Sequence, residues 1–496
     1  MKKYIETYVE IRRKIKAYQF VSFLFSWDQE TEAPKDASVF HQKQFAVIAE
    51  EAYKWSSDPS YIEAVKTLYN NLDKLDEELQ IEIKEQNKNL RIIEKVPKDE
   101  YIEFQILTKG ASIIWSKAKE TNDFSYFAPT LEKIVLFQQK LVKYLETDEL
   151  KGYDILLDLF EEGMTQKEYD NFFNTLRSNL VPFVMEKTAR EREINNNLIN
   201  LKFEKAQQKA FSEYLLDVFY FDRNKGLLKE SVHPFTSSAA TTDTRLTTKY
   251  DEDNISSAIF STIHELGHAI YEMQNDSKYD DTFLQGGTSL GFHESQSRMY
   301  ENMIARQEAF WDVHYNKLVE LFPKQLNSVS KADFLKYINN PKRSLIRIEA
   351  DELTYSLHIM VRYELEKLLL TGQLKVNDLP KKWNELMQEY LGVTPDSDSK
   401  GVLQDIHWSG GMMGYFPTYA LGSAYAAQIY YYMDKEIDCM KQIKANKIDN
   451  INNWLKEHVH KFGKTKTPKE IMLIATKKAF NPNYYIKYLI EKYQNI

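Results

Sequence analysis

The sequence predicts a large, mainly α-helical protein with a small β-sheet set beside one helix, and three observations predict it. Glycine (16) and proline (13) are scarce for a chain of 496 residues. So few breakers favour long helices joined by short connections. Apolar residues recur at three-and-four spacing through most of the chain. One stretch alone, SVHPFTSSAATTDTRLTTKY at 231–250, is rich in Thr and Ser and lacks that period. It reads as one or two short strands.

From residue 1 to about 230 the pattern is helix after helix. YIETYVEIRRKIKAYQFVSFL, LDEELQIEIKEQNKNLRIIEKV and DFSYFAPTLEKIVLFQQKLVKYLE each carry an apolar stripe. In MTQKEYDNFFNTLRSNLVPFV, Thr165 and Glu168 stand in the spacing of a capping box, which marks a helix start at 166. Helices resume at about 254 and continue to the end, interrupted by a surface loop at PDSDSKG (395–401). No internal repeat or long linker divides the chain, so 1–496 is expected to form one unit.

Charge and cysteine content exclude several classes. The net charge of −8 is spread along the chain. Nucleic acid as the main partner would want a basic face. The apolar piece FVSFLF near the start is too short for a signal core, and no run approaches the roughly 18 apolar residues of a membrane span. Cys439 is the single cysteine, so no disulfide can form within the chain, and a reducing, cytoplasmic location is expected.

Residues 261–275, STIHELGHAIYEMQN, place His264 and His268 four apart with Glu265 between them. On a helix, residues four apart share a face, so two imidazoles can meet one metal ion. The glutamate after the first histidine can then accept a proton from a water beside that ion, as in metallopeptidases. Ile255, Ile259, Ile263, Leu266 and Ile270 form the apolar stripe of this helix. Two imidazoles and a carboxylate in such a buried helix are costly unless satisfied. The long form of the motif needs Gly and His three and six residues on. Tyr271 and Gln274 stand there. A glutamate on a following helix is the other solution, and Glu294 in GGTSLGFHESQSRMYENMIARQ is preferred as third ligand because it opens a helix beside Leu290 and Phe292. Glu272 and Glu301 are its rivals.

A carboxypeptidase also needs a cation for the free carboxylate of its substrate. Arg347, on an expected helix SLIRIEADELTY, is one candidate, set against a plain ion pair with Asp351. Arg245 is another, set against a pair with Asp243. Gln404, His407, Tyr415 and Tyr419 lie among the glycines of GVLQDIHWSGGMMGYFPTYALG, where an oxyanion could find donors.

Taken together, these stretches resemble the carboxypeptidase Taq family of thermostable metallocarboxypeptidases. His-Pro-Phe at 233–235, Asp-x-Arg-x-Thr at 243–247, His-Glu-x-x-His at 264–268 and His-Glu-Ser-Gln at 293–296 carry the likeness. So do Ile-Arg-x-x-Ala-Asp at 346–351 and Gly-x-x-Gln-Asp-x-His-Trp at 401–408. FSWDQET near the start is also similar, although EAPKDAS follows where the family often has a Pro- and Gly-rich turn. The resemblance implies His264, His268 and Glu294 as metal ligands and Glu265 as general base. It implies Arg347 as the carboxylate anchor, and His407, Tyr419 and Tyr415 against substrate or oxyanion. His233, Asp243 and Arg245 would line or brace the cleft, and Gln404 is a further substrate-binding candidate.

It further implies an elongated helical body with a deep groove, often a homodimer. Residues 1–230 would form a helical N-terminal half with a lid, and 231–496 the catalytic half. One divalent ion per chain is expected, with zinc first and cobalt or manganese open. The expected activity is removal of single C-terminal residues from peptides. A dipeptidyl carboxypeptidase or oligopeptidase is the alternative within enzymes, and a non-catalytic peptide-binding protein with a relic metal site lies outside them.

Overall fold

A computed structural model describes residues 1–189, 198 and 201–494. Helices dominate, as the low glycine and proline content predicts. The capping box forms as expected: the Thr165 hydroxyl accepts from the Glu168 N–H, and the Glu168 carboxylate accepts from the Thr165 N–H, starting the helix Gln166–Lys187. Two apolar cores separate along the chain. The larger runs from Val96 to Tyr493 and takes in helices from both expected halves. The smaller lies within the first 95 residues, where Tyr8, Ile11 and Ile15 of the helix Lys2–Thr31 pack with Tyr61, Val65, Leu68, Ile83 and Leu90. The helix Ser38–Ser56 buries no residue.

The sheet has three strands, one more than the Thr-rich stretch suggested. β1 (Gly226–Glu230) runs parallel to β3 (Asp243–Thr248), and β2 (Thr236–Ala240) pairs antiparallel on the other side of β3. β1 escaped the sequence reading because GLLKE is only five residues long and largely faces water, so it shows no alternation. The motif helix, Ile255–Met273, packs on β3 and β2. All five residues of its stripe are buried.

A second helix, Leu290–Arg298, returns against the motif helix and continues as a π-helical turn over Met299–Ala305. Gly267 makes the contact possible: a Cβ there would stand 2.6 Å from Ser297 Cα. A third helix, Pro417–Ile437, meets the return helix through Gly422, where a Cβ would fall 2.7 Å from Glu294 Cβ. Three helix backbones therefore converge on Glu294.

The expected helix around Arg347 begins later than the sequence suggested. Arg347–Glu349 is a short 3-10 turn, and the helix runs Glu352–Leu370. Asp351 caps it, accepting from the N–H groups of Leu353 and Thr354. A capping aspartate is committed to backbone, and the Arg347–Asp351 pair weighed as the alternative to an anchor role does not form.

Candidate active site

The motif helix presents His264 and His268 on one face, as the four-residue spacing requires. The Nε2 atoms of both lie 3.7 Å from Oε2 of Glu294. That is too long for a hydrogen bond. Every other polar atom of the three side chains has a partner. His264 Nδ1 lies 3.0 Å from Glu301 Oε2. His268 Nδ1 lies 2.6 Å from His293 Nδ1. Glu294 Oε1 accepts from Arg298 Nε at 2.7 Å. Three atoms with free lone pairs thus point at one another and bond to nothing in the protein. Among the described residues this is the group of His, Cys, Asp and Glu able to hold a metal ion, its ligand atoms all within 4.8 Å of one another. Two donors about 2.0–2.1 Å from a tetrahedral ion stand about 3.4 Å apart. The residues present therefore fit a divalent cation.

The rivals for the third ligand lie one step further out. Glu301 holds His264 and is itself held by Arg298 (3.3 Å) and Arg306 (3.2 Å). Burial raises its pKa, but the His264 hydrogen bond and the two guanidinium charges outweigh burial and hold it well below the usual carboxylate range. The π turn carries Glu301 in the chain just after Glu294 and Arg298, a use of π geometry common at functional sites. Glu272 accepts from His293 Nε2 at 2.7 Å. Burial and the neighbouring His293 and His264 keep His268 far below the usual imidazole range, so it is neutral.

Glu265 is buried beside this cluster. Its Oε2 accepts from Thr236 Oγ1 of β2 at 2.7 Å. Burial pushes its pKa up, opposed by His264 and by Thr236. The sheet is thus the support on which the motif glutamate rests.

Arg347 is buried and lies over the rings of Tyr419 (5.2 Å) and Phe416 (5.6 Å). Its carboxylate partner is Asp405. Arg347 Nε and Nη2 reach Asp405 Oδ1 at 3.0 and 2.8 Å, while Nη1 donates to Tyr355 Oη at 3.2 Å. Arg362, fully buried, donates Nε and Nη2 to Asp405 Oδ2 at 2.8 and 2.6 Å. Burial raises the Asp405 carboxyl, but the two guanidiniums hold it far below its ordinary value.

His407 packs against Phe416 and Tyr415, with its Nε2 3.5 Å from Tyr419 Oη. Burial, then the Arg347 charge, lowers its pKa to about 4, so the ring is neutral. Its Nδ1 has no partner among the described residues. Tyr419 and Tyr415 stand one turn apart with hydroxyls 3.3 Å from each other.

The remaining expected residues brace rather than converge. Both ends of the Gln404 amide go to backbone: Oε1 accepts from the Arg347 N–H at 2.8 Å, and Nε2 donates to the carbonyls of Leu345 and Lys400. Arg245 pairs with Asp243 at 2.7 and 2.8 Å and lies over Phe23 and Trp27 of the first helix. His233 is exposed, and it is its carbonyl that is bonded, accepting from Ser231 Oγ.

Over residues 7–493 the sequence matches the family described as carboxypeptidase Taq (M32) metallopeptidase. The chain belongs to this family. It is 40% identical to carboxypeptidase 1 of Bacillus subtilis, over 99% of this chain and 98% of that one. It is 31% identical to thermostable carboxypeptidase 1 of Thermus thermophilus, over 98% and 97% of the two chains. The solved Pyrococcus furiosus carboxypeptidase superposes with a TM-score of 0.94 at 32% identity, covering 99% of both chains. Membership makes this chain a metal-dependent peptide hydrolase of the carboxypeptidase class, and its donor set agrees with the metal that membership implies.

Sequence reasoning missed Thr236, His293, Arg298, Arg362, Asp405 and Glu161. Buried Glu161 accepts from Ser289 Oγ and from the Gly291 N–H, both at 2.9 Å, and so holds the start of the return helix. His293 and Asp405 lay inside recognisable blocks, so position could have flagged them. Nothing in the local sequence marks Thr236 or Glu161.

Proposed function

We propose that this chain removes single residues from the free C-terminus of short peptides, with one divalent ion held by His264 Nε2, His268 Nε2 and Glu294 Oε2. The bound ion would polarise the peptide carbonyl and ease ionisation of water. Glu265 takes the proton of the attacking water as its oxygen bonds to the carbonyl carbon. The same carboxyl passes that proton to the amine nitrogen as the C–N bond breaks. Tyr419 and Tyr415, which burial keeps protonated, donate to the developing oxyanion. Neutral His407 orients Tyr419.

The observation that carries the reading is the pair of unbonded Nε2 atoms facing one unbonded carboxylate oxygen, with Glu265 next in the chain. Arg347 anchors the substrate carboxylate. Three of its five N–H groups are used by Asp405 and Tyr355, which leaves one on each terminal nitrogen for a second carboxylate. Two arginines against one aspartate also leave one net positive charge there. Gln404 fixes the turn that carries Arg347.

Arg245 and Asp243 brace the N-terminal helices, whose separate small core suits a lid. Zinc is the ion we favour, because two histidines and a glutamate after His-Glu-x-x-His form a zinc donor set. The free, buried Cys439 supports a reducing, cytoplasmic setting. Ile102, Ile106 and Ile113 form an exposed stripe on the helix Lys98–Thr121, the last two 67% and 73% exposed, which supports a homodimer.

Mass spectrometry of a short peptide with and without a chelator tests the reading. A ladder of one-residue losses from the C-terminus, stopped by chelation and restored by zinc, is the expected result. Steps of two residues or internal cuts would instead favour the dipeptidyl or oligopeptidase alternative.

A further inference from the structure

Resting on the ligand set proposed above, we infer that His293 and Glu272 form a directional hydrogen-bond relay that fixes the tautomer and aim of His268. They would thus be positioning residues for the metal.

The chain of atoms leaves one arrangement of protons. His268 Nε2 must keep its lone pair to face the ion, so its proton sits on Nδ1. That proton points at His293 Nδ1, 2.6 Å away. His293 Nδ1 is then the acceptor, and its proton sits on Nε2, facing Glu272 Oε1 at 2.7 Å. An ionised carboxylate only accepts. The opposite His293 tautomer would set lone pair against lone pair at that end and proton against proton at the other. Charge on Glu272 is thus passed through a neutral imidazole to His268. A histidine ligand backed in this way is more basic and held in one orientation. His264 receives the same support directly from Glu301, so the two histidines are backed by different means.

The surroundings hold the relay in place. Tyr271 packs against the His293 ring at 5.3 Å. The Gly286–Gly287 turn closes over it: a Cβ on Gly287 would stand 2.7 Å from His293 Cδ2 and 2.9 Å from Tyr271 Cε1. Lys464 and Gly287, together with Lys466, line a cleft of about 680 Å³ onto which His293 opens. The relay therefore forms part of the cleft wall, and any side chain larger than glycine at 287 displaces His293 without removing a polar group.

The test is zinc affinity, measured on the full chain by competition with a chromogenic chelator, alongside the melting temperature of each metal-free protein. His293→Leu is expected to weaken zinc binding by about tenfold to a hundredfold, the usual range for such support. Gly287→Ala is expected to do the same in kind, with a lowered metal-free melting temperature because buried Tyr271 must shift along with His293. Glu272→Gln keeps an acceptor oxygen and loses the charge, so its loss should be smaller. Should His293→Leu fail to fold, Gly287→Ala and Glu272→Gln decide. His268→Ala separates the two ideas. If it loses zinc at least a hundredfold while the relay variants stay within about twofold of wild type, the relay is overturned and the ligand set stands. If His268→Ala binds zinc as wild type does, the ligand set falls and the relay with it.

Discussion

Thr236 Oγ1 donates to Glu265 Oε2 at 2.7 Å, a bond from the edge strand β2 to the motif helix. The Glu265 carbonyl also lies 2.9 Å from that hydroxyl. The sheet is small, but it sets the orientation of the carboxylate assigned as base. Thr236→Val keeps the shape and removes the donor. A hydrogen bond to a charged group is worth about 1.5–3 kcal/mol, so kcat/KM should fall by roughly tenfold or more with little change in melting temperature. A kcat/KM within twofold of wild type would remove Thr236 from the support of the base.

Glu265→Gln should keep the metal and the fold while losing turnover. Glu265 supplies none of the three converging atoms, and glutamine fills the same volume. General-base catalysis contributes about 10²–10⁴-fold, and kcat should fall within that range or beyond. The check is metal content per chain beside kcat. Near-normal kcat would take Glu265 out of the mechanism.

The metal motif, the return helix and the helical body were legible in the sequence, because helix spacing and the choice among ligand types are local properties. Glu294 could be preferred over Glu272 and Glu301, but the places the rivals take could not be read. Each accepts from a ring nitrogen in the layer behind the ligands, and that depends on how three helices cross at Gly267 and Gly422. Arg347 could be nominated as an anchor, yet its partner could not. Asp351 is four residues away but caps a helix, while Asp405 is 58 residues away and closes on Arg347 only in the fold. β1 hid for a similar reason, since it is a strand only by pairing with β3.

Arg347→Ala should spare peptides whose C-terminus is amidated and penalise those with a free carboxylate. The anchor acts on the substrate's charge, so the loss should appear mainly as raised KM, with kcat/KM down by about a hundredfold for roughly 3 kcal/mol of charged hydrogen bonding. Comparing one peptide as acid and amide gives the answer. Equal losses on both forms would end the anchor role and point to a structural one.

Asp405→Asn should cost stability as well as activity. Asp405 stands between Arg347 and Arg362, and Arg362 is fully buried. Removing its charge leaves two guanidiniums close together with no anion. Breaking a buried pair on one side costs about 3–5 kcal/mol, which a urea midpoint would register. An unchanged midpoint would mean that water reaches and screens the pair.

Acid should destabilise the fold through two buried histidines, His314 and His460. Burial lowers His314 to about 4 and is the main cause that lowers His460 to about 3. Their unfolded value is near 6.5. Depressed pKa values mean that the folded protein binds fewer protons than the unfolded chain in this window. The stabilisation is therefore complete above pH 6.5 and is lost as pH falls towards 4 and 3. For His314 the shift from about 6.5 to about 4 is worth about 3 kcal/mol. His314 Nδ1 meets Tyr214 Oη at 2.7 Å, while its Nε2 has no partner among the described residues. His314→Phe removes the titration and keeps an aromatic ring beside Phe310 and Tyr214. The variant should show a smaller drop in melting temperature between pH 7.5 and pH 5 than wild type at one scan rate. An equal drop would show that His314 takes up its proton without cost, through water reaching Nε2.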